Sequence, residues 1–181
     1  MVRSSLLHLY HKDTEASINY PNRKLHRLQT WDYSAPGYYF VTICTGNKRC
    51  LLSRITGSDD GAEVQLTNVG RIVRKCWERM NSVAPHIRTD HFCIMPNHIH
   101  GIVVIEAHSK ADARSLSDLI HGFKSAVTRE YNRMADPGEK NQLWQSSYYD
   151  EIIRNEEMLL RARKYIEDNP AKWVEDELFT I

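Results

Sequence analysis

The run Met95-Pro96-Asn97-His98-Ile99-His100-Gly101-Ile102-Val103-Val104-Ile105 decides how the chain is read. Pro96-Asn97 is a turn signal, and the eight residues after it are apolar except for two histidines two positions apart. The preceding His91–Met95 is a second short apolar run, so the two together read as an antiparallel hairpin with a tight connection. Successive strand side chains alternate between faces, so His98 and His100 project from the same face. Imidazole is the commonest protein metal ligand, and a same-face pair at this spacing can close on one cation without distorting the backbone. On spacing alone the H-x-H pair is equally compatible with ordinary half-buried histidines. Gly101 leaves room for a close approach, by a nucleic-acid backbone or through a simple kink of the strand.

Outward from this hairpin, the elements follow in order. Tyr38–Thr45 (YYFVTICT) alternates and is rich in strand formers. From Asn68, the residues Val69, Ile72, Val73, Cys76, Trp77 and Met80 follow helical spacing, and Pro85 stops the helix. Ser115 with Asp118 forms a capping box for a helix through Leu116, Leu119, Ile120, Phe123 and Val127 to about Met134. Tyr148–Ile153 reads as a strand, after which Asn155 caps a helix through Met158, Leu159, Ala162 and Ile166, closed by Pro170. Strand, helix, strand, strand, helix, strand is the ferredoxin-like βαββαβ order, an α+β sandwich with a central antiparallel sheet and an added C-terminal helix. Gly57–Gly61 and Ala135–Glu139 read as surface turns, so 1–181 is one domain with a basic N-terminal segment at 1–30 and a core at 31–181.

Composition narrows the class. The 181 residues are 41% apolar and 26% charged, which excludes collagen-like, coiled-coil and disordered chains. Four cysteines without a C-x-x-C pair argue against a disulfide framework or zinc knuckle, and no apolar run approaches a membrane span or a secretory signal, so a cytoplasmic protein is expected. The formal charge is only +1, but residues 1–30 carry five Lys/Arg against two acids and residues 68–89 five against one. Arg23, Lys24, Arg27, Arg71, Arg74, Lys75 and Lys124 are therefore candidate phosphate contacts, each equally readable as solvated surface charge. Trp31, Tyr33 and Tyr38 are candidates to stack on unpaired bases or to lie buried beside the first strand.

The last helix supplies a second polar constellation. Arg161, Tyr165 and Asn169 stand at i, i+4 and i+8 on one side of it. If that helix packs on the sheet, a phenol and a carboxamide face the histidine pair, with Arg161 one turn from the phenol as an anion stabiliser and candidate DNA contact. A phenol titrates near 10, so a nucleophilic tyrosine needs a cation or base beside it.

At this point the chain resembles the single-tyrosine HUH transposases, most closely the REP-associated tyrosine transposase branch, over nearly all of its length. The resemblance is carried by WDYSAPGYYFVTICT at 31–45, LTNVGRIV at 66–73, MPNHIHGIVVI at 95–105, LIHGFKSAVTREYN at 119–132 and WQSSYYDEIIRNEEMLLRARKYIEDNPAKW at 144–173. It implies that His98 and His100 bind a divalent metal, Mg²⁺ or Mn²⁺, and that Tyr165 is the nucleophile; Tyr131, Tyr148 and Tyr149 lack the polar residue four positions on and before a proline. The family's insertion-sequence members carry glutamine at that i+4 position, where this chain has Asn169, with Asp168 and Glu167 as alternative third ligands. The resemblance further implies nicking and rejoining of single-stranded DNA at REP-like hairpins through a 5′-phosphotyrosine, in a monomer or homodimer associated with the nucleoid. Two alternatives from other classes are a metal-dependent phosphoesterase that activates water and a catalytically silent hairpin-binding protein.

Overall fold

The computed structural model describes residues 30–57, 61–109, 113–134, 142–176 and 178–179. Its strands and helices are β1 (Gly37–Cys44), β2 (Ser53–Thr56), β3 (Glu63–Leu66), α1 (Asn68–Glu78), β4 (Ile87–Ile94), β5 (His98–Ile105), α2 (Leu116–Met134), β6 (Tyr149–Ile153) and α3 (Glu156–Asp168). Four strands form one antiparallel sheet in the order β4-β5-β1-β6, which is the expected central sheet. The unexpected addition is β2–β3, a separate two-stranded hairpin inserted between β1 and α1. Arg23, Lys24 and Arg27, the expected basic N-terminal segment and the Ala135–Glu139 turn lie outside the described residues.

The caps are those the sequence specifies. Thr67 Oγ1 accepts from the Gly70 amide at the start of α1, Ser115 and Asp118 bond reciprocally before α2, and Asn155 Oδ1 accepts from the Met158 amide before α3. All eight β5 residues are buried, because α1 and α2 cover one face of the sheet and α3 the other. The larger core gathers Tyr39, Val41, Ile43, Ile99, Val103 and Ile105 of the sheet under Trp77, Leu119, Ile120 and Phe123 of α1 and α2. The smaller one sets Ile102, Val104 and Ile153 under Ala162 and Ile166 of α3.

Gly101 belongs to the first face, and its role differs from both sequence readings. A Cβ there would stand 2.3 Å from the buried Trp77 ring, whose indole lies on the backbone of β5 between Phe92 and Phe123. The missing side chain makes room for core packing rather than for a ligand. Gly101→Ala is therefore expected to lower stability by about 1–3 kcal/mol through overpacking, read as a reduced urea midpoint with an unchanged m-value.

Candidate metal and phenol site

The paired register aligns Cys44 with His98 and Thr42 with His100, at the end of β1 and the start of β5. Both imidazoles point to the α3 side and are essentially without solvent exposure. Asn97 orients the first: its Nδ2 donates to the carbonyls of Leu178 (2.7 Å) and Lys48 (3.3 Å), which turns Oδ1 toward His98 Nδ1 at 2.8 Å. An amide oxygen only accepts, so the proton of neutral His98 sits on Nδ1 and the Nε2 lone pair faces inward. Thr42 Oγ1 lies 2.8 Å from Nδ1 of His100 and orients that ring, since a hydroxyl pairs with either tautomer. The two Nε2 atoms end 2.9 Å apart, where one shared proton or one cation satisfies both.

Around this pair the last helix and the segment after it close a small polar centre. Tyr165 Oη is 3.5 Å from His100 Nε2, and its ring sits edge-on to His100 and to Phe40, with centroids 5.1 and 5.9 Å away. Phe40 in turn stacks on His100 at 5.4 Å. Asn169, at the C-terminal end of α3 and 4% exposed, donates from Nδ2 to Asp176 Oδ2 at 3.1 Å, while its buried Oδ1 has no hydrogen-bond partner among the described residues. Asp176 Oδ2 approaches His98 Nε2 at 3.9 Å, and Asp176 Oδ1 accepts from the Leu178 amide. Among the described residues, His98, His100 and Asp176 form the one group of three or more His, Cys, Asp or Glu side chains placed to hold a metal ion.

Asp176 is the member that the sequence reading missed. It sits beyond a short 3₁₀ turn, Pro170–Glu175, that folds the chain back over the histidines and sets the Trp173 ring 6.0 Å from His98. The alternatives Asp168 and Glu167 point elsewhere: Asp168 pairs with Lys164 and Lys172, and Glu167 reaches His91. Arg161 lies on the solvent side, paired with Glu157. Arg71 bonds Leu66 O and Asn68 Oδ1 within its own helix start, Arg74 and Lys75 are exposed on α1, and Lys124 is half-buried, donating to the carbonyls of Gln145 (2.6 Å) and Ser146 (3.1 Å). Tyr38 and Tyr33 are partly buried against the two cores, and Trp31 donates to Tyr39 Oη at 3.3 Å.

Three observations bear on identity. The IS200-like transposase family model matches residues 68–169, more than half of the chain. An uncharacterized protein of Haemophilus influenzae Rd is 32% identical over 92% of this chain and 98% of its own length. The structure of a REP-associated tyrosine transposase bound to a REP hairpin superposes with a TM-score of 0.57 over 81% of this chain and 74% of that one, at 18% identity, a likeness of fold. The chain belongs to the IS200-like transposase family, whose members are DNA-cleaving, strand-transferring enzymes. Among its described residues no helix is long and apolar enough to cross a membrane.

Burial fixes the charge of the centre. It pushes His98 down to about 3, with Lys48 adding to the effect, and it holds His100 well below the ordinary imidazole range, helped by His98. Both rings are thus neutral and ready to ligate at neutral pH. In the unfolded chain each binds a proton near 6.5, so between 6.5 and about 3 the unfolded state holds more protons and folding weakens as pH falls. In chelator, the free energy of unfolding is expected to drop by up to about 1.4 kcal/mol per pH unit per histidine across this window, and His98→Gln to flatten the slope.

Proposed function

We propose that this chain nicks and rejoins single-stranded DNA, with Tyr165 as nucleophile and a divalent cation, Mg²⁺ or Mn²⁺, held by His98, His100, Asp176 and the Asn169 carbonyl. The observation that carries the reading is the convergence of one phenol on two imidazole lone pairs, with Tyr165 Oη 3.5 Å from His100 Nε2. The donor set fits a cation: two neutral nitrogens, a carboxylate, and a buried amide oxygen with no partner among the described residues. Two imidazoles suit Mn²⁺ and the oxygens suit Mg²⁺. When bound, the cation supplies Lewis-acid polarisation of a phosphate oxygen.

The remaining work belongs to the chain's own groups. Asn97 holds His98 in the Nδ1–H tautomer and Thr42 fixes the orientation of the His100 ring, so both Nε2 atoms stay directed at the centre. The stacked Phe40 and His100 rings give the Tyr165 ring an edge-on seat that orients its hydroxyl. Attack by the phenol oxygen on phosphorus forms the tyrosyl–phosphate bond as the P–O3′ bond breaks; the phenol gives up its proton and O3′ takes one up, leaving the DNA 5′-phosphate on Tyr165 and a free 3′-hydroxyl. The reverse attack by a 3′-hydroxyl rejoins DNA without an external energy source. The solved REP-associated enzyme is bound to a REP hairpin, and a hairpin with unpaired bases at its foot is the substrate proposed here. Arg74 and Lys75 on α1 are candidate phosphate contacts; Arg71, Lys124 and Arg161 join them only by releasing present partners.

Incubation with labelled single-stranded hairpins from the DNA flanking the gene tests the reading on a denaturing gel. A covalent protein–DNA band is expected with Mg²⁺ or Mn²⁺, lost in chelator, in Tyr165→Phe and in His98→Ala. Cleavage that persists in Tyr165→Phe without a band would give the chemistry to activated water, and binding without cleavage under any metal would leave a silent hairpin binder. Mn²⁺ titration by calorimetry, with no DNA present, is expected to show affinity reduced about 10- to 100-fold in Asp176→Ala and measurably in Asn169→Ala.

A further inference from the structure

The strand β4 carries a one-residue bulge. Thr89 pairs with Val103 and Phe92 with Gly101, so three steps along β4 oppose two along β5. Phe92 faces α1 through its stacking on Trp77, whereas Cys93 packs on the α3 side. In regular alternation Asp90 would share the face of Phe92. The bulge instead turns both Asp90 and His91 toward α3, where they meet two side chains one helical turn apart. Arg163 forks onto Asp90, Nε to Oδ1 at 3.2 Å and Nη2 to Oδ2 at 2.5 Å. His91 bonds Asp90 through Nδ1 and reaches Glu167 Oε1 through Nε2 at 3.0 Å.

These contacts lie on a particular flank of the helix. Ala162, Ile166 and Asn169 form the buried side of α3. Arg163 and Glu167 are each two residues from Tyr165 and so about 160° round the axis from it. The helix therefore lies on the sheet with Tyr165 projecting from one flank over β5 and β1, and its ion-paired residues gripping β4 from the other. We infer that the Asp90–His91 bulge with Arg163 and Glu167 is a clamp that sets the roll of α3 and thereby aims the Tyr165 hydroxyl, making Asp90 and Arg163 positioning residues for the nucleophile.

The geometry explains why a roll matters. A side-chain group about 6 Å from a helix axis moves about 1 Å for a 10° roll, and a displacement of that size is worth about 100-fold in rate. The apolar side of α3 resists rolling weakly, since only Ala162 and Ile166 are fully buried in its hydrophobic contact. A flank held by a two-pronged guanidinium–carboxylate pair does resist it, because planar fork geometry fixes direction as well as distance. Asp90 is mostly buried, and although burial opposes its charge, the bonds from Arg163 and His91 hold its carboxyl down to about 2, so the pair is charged at any working pH.

The clamp rests on the proposed role of Tyr165 for its consequence but not for its geometry, and the test separates the two. In the metal-free, DNA-free chain, ring-to-ring NOEs from Tyr165 to Phe40 and His100 are expected in the native protein and expected to weaken in Arg163→Gln and in Asp90→Asn. With hairpin DNA and Mg²⁺, the single-turnover rate of adduct formation at saturating DNA should fall 10- to 100-fold in either variant. DNA affinity and Mn²⁺ affinity should stay within about twofold, and the double variant should be no slower than the worse single one. Arg163→Lys, which keeps the charge and loses the fork, should recover part of the rate. Folded Arg163→Gln with native NOEs and a native rate, or a double variant in which the two losses multiply, would overturn the clamp. Lost NOEs in the variants of a chain that never forms an adduct would uphold the clamp and remove the phosphotyrosine reading instead.

Discussion

The antiparallel pairing of β1 with β5 is the contact on which everything else hangs. It sets Thr42 opposite His100 and Cys44 opposite His98, and since strand side chains alternate, a slip of one residue would turn both imidazoles into the apolar core under α1 and α2. The same register places Gly101 beneath the Trp77 ring. That ring cannot be accommodated over any other position of the strand, because the neighbouring β5 residues on its face, Ile99 and Val103, carry bulky side chains already packed in the core. The packing of one face thus pins the chemistry of the other.

Burying two imidazoles, a carboxylate and an amide at one point is costly unless each polar atom is satisfied. Most are satisfied within the protein: Asn97 and Thr42 take the Nδ1 atoms, and Asp176 takes the Asn169 amide and the Leu178 amide. What converges at the centre is the two Nε2 atoms, a carboxylate oxygen and Asn169 Oδ1, the last without a hydrogen-bond partner among the described residues. Nitrogen and oxygen lone pairs gathered in this way form a donor set that a cation could use. A divalent ion that binds this set in the folded chain only would raise its stability, so metal and stability are expected to be linked.

How much of this was legible in the chain depends on whether the cause was local. The bounds of β5 and α2 and the cap of α3 were readable, because turn residues, a capping box and apolar spacing all act within a few residues. The hairpin β2–β3 was not: SRIT and EVQL are four residues each, too short for an alternation such as that of EVQL to stand out, and neither strand joins the main sheet. The start of β4 was read four residues late, as its polar Arg88, Thr89 and Asp90 lie on an edge strand, and a bulge leaves no mark in an alternation pattern. Asp176 was hidden because a fold-back after Pro170, not a period, brings it to the histidines. Arg161, Tyr165 and Asn169 look aligned at i, i+4 and i+8, yet each four-residue step drifts about 40°, so over eight residues Asn169 turns in while Arg161 turns out to solvent.

The three helices are not held alike, and the difference follows their tasks. On the opposite face α2 buries Leu116, Leu119, Ile120, Phe123 and Val127, on the order of 10 kcal/mol of transfer free energy, whereas α3 fully buries only Ala162 and Ile166, nearer 3 kcal/mol. An apolar contact that small has no preferred rotation, because hydrophobic burial is non-directional. Direction has to come from groups with geometry: the Asn155 cap at one end, the Asn169–Asp176 bond at the other, and the forked Arg163–Asp90 pair between them. A helix attached in this way can hold the proposed nucleophile at a defined angle, which non-directional burial alone could not do.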